Sequence, residues 1–173
     1  MTDATVRLRP IQETDLDELA RFGSDPEAQG EFEWMGFRDP NTWRRRWEED
    51  GWIGVEGSWL AVTPADGTFA GIVSWREHSQ GTNRHVCFEI GIALFPPFRG
   101  RGLGTAAQRT FVDHLFATTQ VHRIQAQTEA GNRAEQRALE KVGFEREGRQ
   151  REALFRAGKW RDLVLYGLLR SDS

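Results

Sequence analysis

Residues 84–104 constrain the fold of this chain more than any other stretch. Val86, Phe88, Ile90, Ile92 and Leu94 alternate with Cys87, Glu89, Gly91 and Ala93. That period of two marks a strand with an apolar stripe on one face and small side chains around one carboxylate on the other. A face so small leaves room for something to lie against it. The strand runs into Pro96-Pro97-Phe98-Arg99-Gly100-Arg101-Gly102-Leu103-Gly104. Behind that, Leu103, Ala106, Ala107, Thr110, Phe111, His114 and Leu115 keep the i, i+3, i+4, i+7 spacing of a helix. A strand thus feeds a helix through a glycine-rich turn.

The remaining elements fall around this unit. Residues 6–10 alternate like a short strand stopped by Pro10. Thr14-Asp15-Leu16-Asp17 reads as a helix start, with Gly23 as its end. After a loop at Asp25-Pro26-Glu27, residues 41–50 form a short helix before Gly51, with Trp43 and Trp47 on one face. Strands are expected at 59–63 and 69–76 around a turn at 64–67, then at 121–128, 144–155 and 163–169, the last two flanking a turn at 157–160. A helix spans 132–142 and closes at Gly143. The order β-α-α-β-β-β-α-β-α-β-β predicts an α+β fold, a mixed α/β three-layer arrangement. No repeat, low-complexity tract or linker divides it, so residues 1–173 read as one domain.

Composition narrows the function classes. With 38% hydrophobic residues the chain can bury one sizeable core. Four histidines and the single Cys87 give no ligand set for structural zinc, so no metal is expected, and a lone cysteine fits a reducing compartment. No stretch approaches the ~18 apolar residues of a membrane span. Residues 1–7 lack the apolar run of a signal peptide. The expectation is a cytoplasmic protein with no membrane partner. Residues 1–80 carry 8 Arg against 16 Asp and Glu, net −8, whereas residues 81–173 carry 15 Lys and Arg against 10 acids, net +5. Either two faces are solvated differently, or the first half meets a cation and the second an anion. Nucleic acid is a poor fit, because the basic residues are dispersed.

The glycine-rich turn is where chemistry concentrates. Free amides at a helix start favour an anion, glycines let the backbone approach a phosphate, and Arg99 and Arg101 add charge. The alternative is a tight turn with solvated arginines. Neither a Gly-Lys-Ser/Thr P-loop nor G-x-G-x-x-G with a later acid is present.

Read as Arg-x-x-Gly-x-Gly after a strand, the turn resembles the coenzyme A pyrophosphate loop of the GNAT (general N-acetyltransferase) superfamily. Glu89-Ile90-Gly91-Ile92-Ala93-Leu94 is similar to that family's central strand. Asn132 with Glu140-Lys141-Val142-Gly143-Phe144 matches its Asn…Glu-Lys-x-Gly-Phe helix. Gly148…Arg151-Glu152, Gly158-Lys159-Trp160-Arg161-Asp162…Tyr166 and Val6-Arg7-Leu8-Arg9-Pro10…Asp15-Leu16 resemble the branch that acetylates N-terminal alanine or serine of ribosomal proteins. The likeness covers most of the chain outside residues 28–58.

The resemblance implies an acetyl-CoA-dependent N-acetyltransferase, with acetyl-CoA as cosubstrate and a primary amine as acceptor: a protein N-terminus or a small cationic amine. It implies a pyrophosphate site on Arg99, Gly100, Arg101, Gly102, Leu103, Gly104 and Thr105, and pantetheine along Ile92, Ala93 and Leu94. A strand amide there would hold the oxyanion. Asn132 would bond the pantetheine arm, and it is equally suited to cap its helix. Glu89 is the candidate base, through a water, with a strand ion pair as its other reading. The family's Tyr position is Leu139, and its Ser or Thr position is Glu135, which fits a capping box with Asn132. The proton donor to the thiolate is therefore solvent or unidentified. Tyr166 fits a structural strand position.

Glu31, Glu33 and Trp34 are the acceptor candidates, in a segment that in the family walls the acceptor site. Acids beside aromatic faces suit a cation. An extended 31–34 segment would turn the two glutamates to the cleft and Phe32 and Trp34 away. Trp43, Trp47 and Trp52 either join that wall or are core. A homodimer is compatible with the family resemblance. The competing function is a non-catalytic acyl-CoA-binding or regulatory domain; a tryptophan-faced interaction module is the third.

Overall fold

A computed structural model describes residues 5–54, 57–80 and 85–172. The expected strand start at Arg84 and the readings of residues 1–4 lie outside the described residues. Seven strands form one mixed sheet in the order β1-β2-β3-β4-β5-β7-β6. They are β1 (Val6–Pro10), β2 (Gly57–Pro64), β3 (Gly71–Gln80), β4 (His85–Leu94), β5 (Arg123–Glu129), β6 (Glu145–Arg156) and β7 (Lys159–Leu169). Among the described residues five α-helices accompany them: α1 (Leu16–Ser24), α2 (Pro26–Gln29), α3 (Thr42–Asp50), α4 (Leu103–Thr118) and α5 (Arg133–Val142). This is the α+β arrangement of three layers that the sequence predicts.

Strand alternation builds the two outer layers. Val62, Val73, Phe88 and Ile90 send side chains to the face covered by Leu103, Phe111 and Leu115 of α4 and Leu139 of α5. Ala61 and Ile72, their chain neighbours, pack instead with Leu19 and Phe22 of α1 and with Trp52. Along β4, Phe88 and Ile90 belong to the buried stripe as expected, but Val86 is 38% exposed, because it lies at the far end of the strand beyond the helices. On α4, Gln108, Val112 and Phe116 join the buried face, while His114 points to solvent.

Several local expectations shift for identifiable reasons. Gly23 does not end α1. It lies inside the helix, where a Cβ would sit 2.8 Å from the Trp43 indole nitrogen, so close packing sets its identity. The helix start moves from Thr14 to a 3-10 turn over Glu13–Asp15, in which Asp15 accepts from the Gln12 amide at 2.8 Å and pairs with Arg9. Phe69 is not in β3; its ring meets Phe95 edge-on at 5.0 Å. Trp52 is core, and Trp43 and Trp47 pack half-buried against that core. Trp43 and Trp52 stack at 5.1 Å, Trp52 is 2% exposed, and the Trp47 indole N–H donates to the Ile11 carbonyl.

Two features position the site. Strands β4 and β5 pair in parallel only at Phe88↔Ile124 and Glu89↔Gln125 and then part. Beyond Glu89, the β4 backbone groups that would have met β5 face an opening. Second, β6 carries register shifts between Arg146 and Gly148 and between Gln150 and Leu154, with Glu152 at φ 51° and its amide donating to Asp162. Bulges bend a strand, and here Leu154 and Arg156 come to line the opening.

Candidate active site

A cleft of about 720 Å³ opens where β4 leaves β5. Its walls include Ile92, Ala93 and Leu94, the turn at Gly100, Gly102, Gly104 and Thr105, and Asn132 on the rim of α5. Gly100 (φ 71°) and Gly102 (φ 78°) take left-handed conformations that glycine adopts without strain, and Gly102 directly precedes α4. The first amides of that helix have no intrahelical acceptor, and they meet the positive end of its dipole. The arrangement suits a phosphate.

Not all expected loop residues face the cleft. Leu103 is buried in the core under α4, and Arg101 is exposed and outside the lining. Arg99 does line the cleft, but its guanidinium is engaged: Nε donates to the Leu94 carbonyl at 2.8 Å, and Nη2 to the Ala28 and Gln29 carbonyls at 2.5 and 3.2 Å. It fastens the chain after α1 to the end of β4. Arg137 and Lys141, one turn apart on α5, also line the cleft. Their place opposite the buried Gln136 and Leu139 is the signal that could have found them.

A second cavity of about 410 Å³ lies across the sheet opening. Its floor is the small face of β4, Gly91 and Ala93, beside Ser74, Ile72 and Trp59. The room left by those small residues thus serves this cavity, and the larger cleft lies alongside it. Six residues line both: Phe32, Glu33, Ile92, Ala93, Asn132 and Glu135.

Segment 31–34 is a turn, not an extended strand; the Trp34 amide donates to the Gly30 carbonyl at 3.2 Å. The expected alternation therefore fails. Phe32 and Glu33 both face the junction, and Glu31 reaches the cleft. Trp34 is partly exposed, meets Phe37 edge-on at 5.1 Å and lines a separate hollow beside Trp160. Phe32 carried no signal beyond its neighbours. Glu33 stays open to water within the cleft, yet the surrounding protein removes enough solvent to raise its pKa, against the charges of Arg156 and Arg99.

Glu89 lies at mid-strand, the last β4 residue paired with β5, and outside the lining of both cavities. Its carboxylate pairs with Arg76 and accepts the Gln125 and Gln127 side-chain amides, each at 3.1 Å. Burial alone would raise its pKa; the Arg76 hydrogen bond and charge, with the two amides, outweigh that and hold it below the ordinary range. Its strand ion-pair reading is the one this geometry favours, since a carboxylate so engaged is a weak base.

Glu135 behaves oppositely. The Asn132 side chain accepts the Glu135 amide at 3.2 Å and so caps α5, but the Asn132 amide donates to the Glu129 carbonyl. The reciprocal half of the expected capping box is missing. The Glu135 carboxylate instead accepts from Gln108 Nε2 at 3.3 Å. Burial, then the like charge of Glu33, push its pKa to about 7. Tyr166 is buried and donates to Glu140 at 3.1 Å, a structural position as expected. Among the described residues no group of His, Cys, Asp and Glu gathers as metal ligands, and no helix is long and apolar enough to cross a membrane.

Comparison with known proteins follows the same lines. Residues 5–145 match the family described as Acetyltransferase (GNAT) domain. The chain is 32% identical over 130 residues to the putative ribosomal N-acetyltransferase YdaF of Bacillus subtilis (strain 168), spanning 75% of this chain and 66% of that protein. Mycobacterium smegmatis RimJ, solved in complex with CoA-disulfide, superposes with a TM-score of 0.79 at 26% identity, over 98% of this chain and 84% of that one. The spermidine N-acetyltransferase of Vibrio cholerae, solved with CoA and spermine, shares the fold at a TM-score of 0.84 and 18% identity, over 96% of each chain. The chain belongs to the GNAT acetyltransferase family.

Proposed function

We propose that this N-acetyltransferase acts as a single domain that moves an acetyl group from acetyl-CoA to a primary amine, by direct attack in a ternary complex. The observation that carries the proposal is the meeting of two cavities at one junction. The larger cleft has the phosphate-suited turn at one end, with Arg137 and Lys141 as added cations. The smaller cavity has room for an acceptor and a carboxylate, Glu33, at its mouth. In this reading the pyrophosphate rests on the amides around Gly102, Gly104 and Thr105. Pantetheine runs past Asn132 and the unpaired edge of Ile92, Ala93 and Leu94, where a backbone amide receives the oxyanion.

An ammonium ion is drawn by Glu33, with Glu31 nearby, and loses its proton before attack. For an N-terminal α-amine, with a pKa of ~7.7–8.0, that costs little at neutral pH; for a lysine-like amine at ~10.4 it costs several-fold more free energy. The names of YdaF and the Vibrio enzyme bracket the same two acceptor classes. Glu33 from the acidic first half of the chain stands at this junction, and the turn, Arg137 and Lys141 from the basic second half line the cleft that leads to it.

An acetylation screen over Ala- and Ser-initiated peptides, polyamines and aminoglycosides, read by mass and by thiol release, tests this. The expected result is acetyl transfer to at least one amine class with stoichiometric CoA. A CoA-dependent melting shift without turnover on any amine would instead favour the non-catalytic binder.

A further inference from the structure

Collapse of the tetrahedral intermediate expels sulfur as a thiolate, and Leu139, fully buried in the core, has no proton to give it. The acetyl group must cross from the cleft to the acceptor cavity, so the reacting carbon lies among the residues common to both. Two of those titrate, Glu33 and Glu135.

Their surroundings differ. Glu33 faces the charges of Arg156 and Arg99. Glu135 has an uncharged partner, Gln108 of α4, at 3.3 Å. Gln108 is 2% exposed, and its Oε1 has no hydrogen-bond partner among the described residues. A buried carbonyl oxygen without a donor is costly. The Gln108 Nε2–H donates to Glu135 Oε2 and so fixes where the carboxyl group sits. Other charges nearby are accounted for: Glu129 is paired with Arg156, and Arg99 is bound to backbone carbonyls. Arg137 and Lys141 line the cleft from the same helix as Glu135.

We propose that Glu135, in its neutral form, donates the proton to the departing CoA thiolate, with Gln108 as the residue that positions it. This rests on the larger cleft being the CoA site. The neutral amine attacks the thioester carbon, forming a C–N bond. The C–S bond then breaks with its electron pair going to sulfur, and sulfur takes the Glu135 proton. The nitrogen sheds one proton to cavity water, and Glu135 recovers one from the same pool, so the sum is amine plus acetyl-CoA to amide plus CoA thiol. A raised pKa of about 7 keeps a working fraction of the donor protonated at neutral pH.

The test compares wild type with Glu135→Gln, Glu135→Asp and Gln108→Leu, using spermidine and an Ala-initiated peptide as acceptors and calorimetry for acetyl-CoA. Glu135→Gln should lose ~10²-fold in kcat, bind acetyl-CoA within about threefold of wild type, and lack the alkaline limb of the kcat profile. Glu135→Asp should regain part of the rate and keep the limb. Gln108→Leu removes a donor that favours the charged form, so the limb should move to higher pH, a displacement that a purely structural role would not give. Normal acetyl-CoA binding with kcat within about threefold in Glu135→Gln overturns the proposal alone. Failure of the folded wild type to bind acetyl-CoA overturns it together with the cofactor reading.

Discussion

Two carboxylates beside β4 sit in opposite conditions. At mid-strand, where β5 is last paired, Glu89 is held by one guanidinium and two amides, with the His78 imidazole 3.9 Å away. At the open end, where the strands have parted, Glu135 reaches in from α5 with one neutral amide and a second carboxylate nearby. Both are substantially buried, so burial alone does not tell them apart. The donors do. A carboxylate given cations and N–H groups is fixed in its charged form and becomes structure; one denied them keeps its proton near neutral pH and becomes available for transfer.

The largest effect expected from this contrast is on stability against pH in the unliganded protein. Glu135 has a folded pKa above its ordinary 4.5, so between 4.5 and about 7 the folded state binds more protons than the unfolded one. Stability associated with this group is therefore whole below pH ~4.5 and falls as pH rises through about 7. Glu135→Gln should exceed wild type by about 3 kcal/mol at pH 8.5 and by nothing at pH 4.5. Urea melts at the two values check this, and a constant difference would break the comparison.

Glu89 runs the other way. Its depressed pKa adds stability above the ordinary carboxylate range, and that contribution is lost as pH falls through the folded value. Glu89→Gln should cost ~1–2 kcal/mol at pH 7, discounted because the Arg76 side chain is mostly exposed, with turnover within about threefold of wild type. A 10²-fold kinetic loss that shrinks at high pH would restore Glu89 as the base.

Next in size, Gly102→Val places a branched side chain at φ 78° on the cleft wall and should weaken CoA at least tenfold, ~1.4 kcal/mol. Arg99→Ala should do the same by releasing the chain after α1 from β4. Unchanged CoA dissociation constants in both folded variants would remove the loop assignment. The smallest effect belongs to Glu33→Gln, which should raise the acceptor KM ~2–5-fold, leave the acetyl-CoA KM alone, and blunt the climb of acceptor KM with salt. Equal salt slopes in variant and wild type would end the cationic-acceptor reading.

Much of this architecture was legible because it follows from local rules. The period of two in β4, the helical stripe of α4, and the Asn132 and Gly143 ends of α5 need only near neighbours in sequence. The glycines at 100 and 102 announce the turn by their conformations. What stayed hidden depends on distant partners. Nothing adjacent to Glu89 tells that Gln125 and Gln127 will arrive from β5, and nothing near Glu135 points to Gln108, 27 residues earlier on another helix. The glutamate–aromatic alternation of residues 31–34 mimics a strand, whereas Gly30 at φ 77° bends the chain. Trp43 and Trp47 of α3, Trp52 after it and Trp59 of β2 pack into one cluster with α1, which composition alone does not disclose.

Direct titration of the glutamate carboxyl carbons by NMR tests the central contrast in one experiment, with Glu135→Gln and Glu89→Gln supplying the assignments. The account predicts one resonance with a midpoint near 7 that vanishes in Glu135→Gln, and one that titrates below the ordinary range and vanishes in Glu89→Gln. Glu135 titrating near 4.5, or Glu89 titrating above it, would contradict the account.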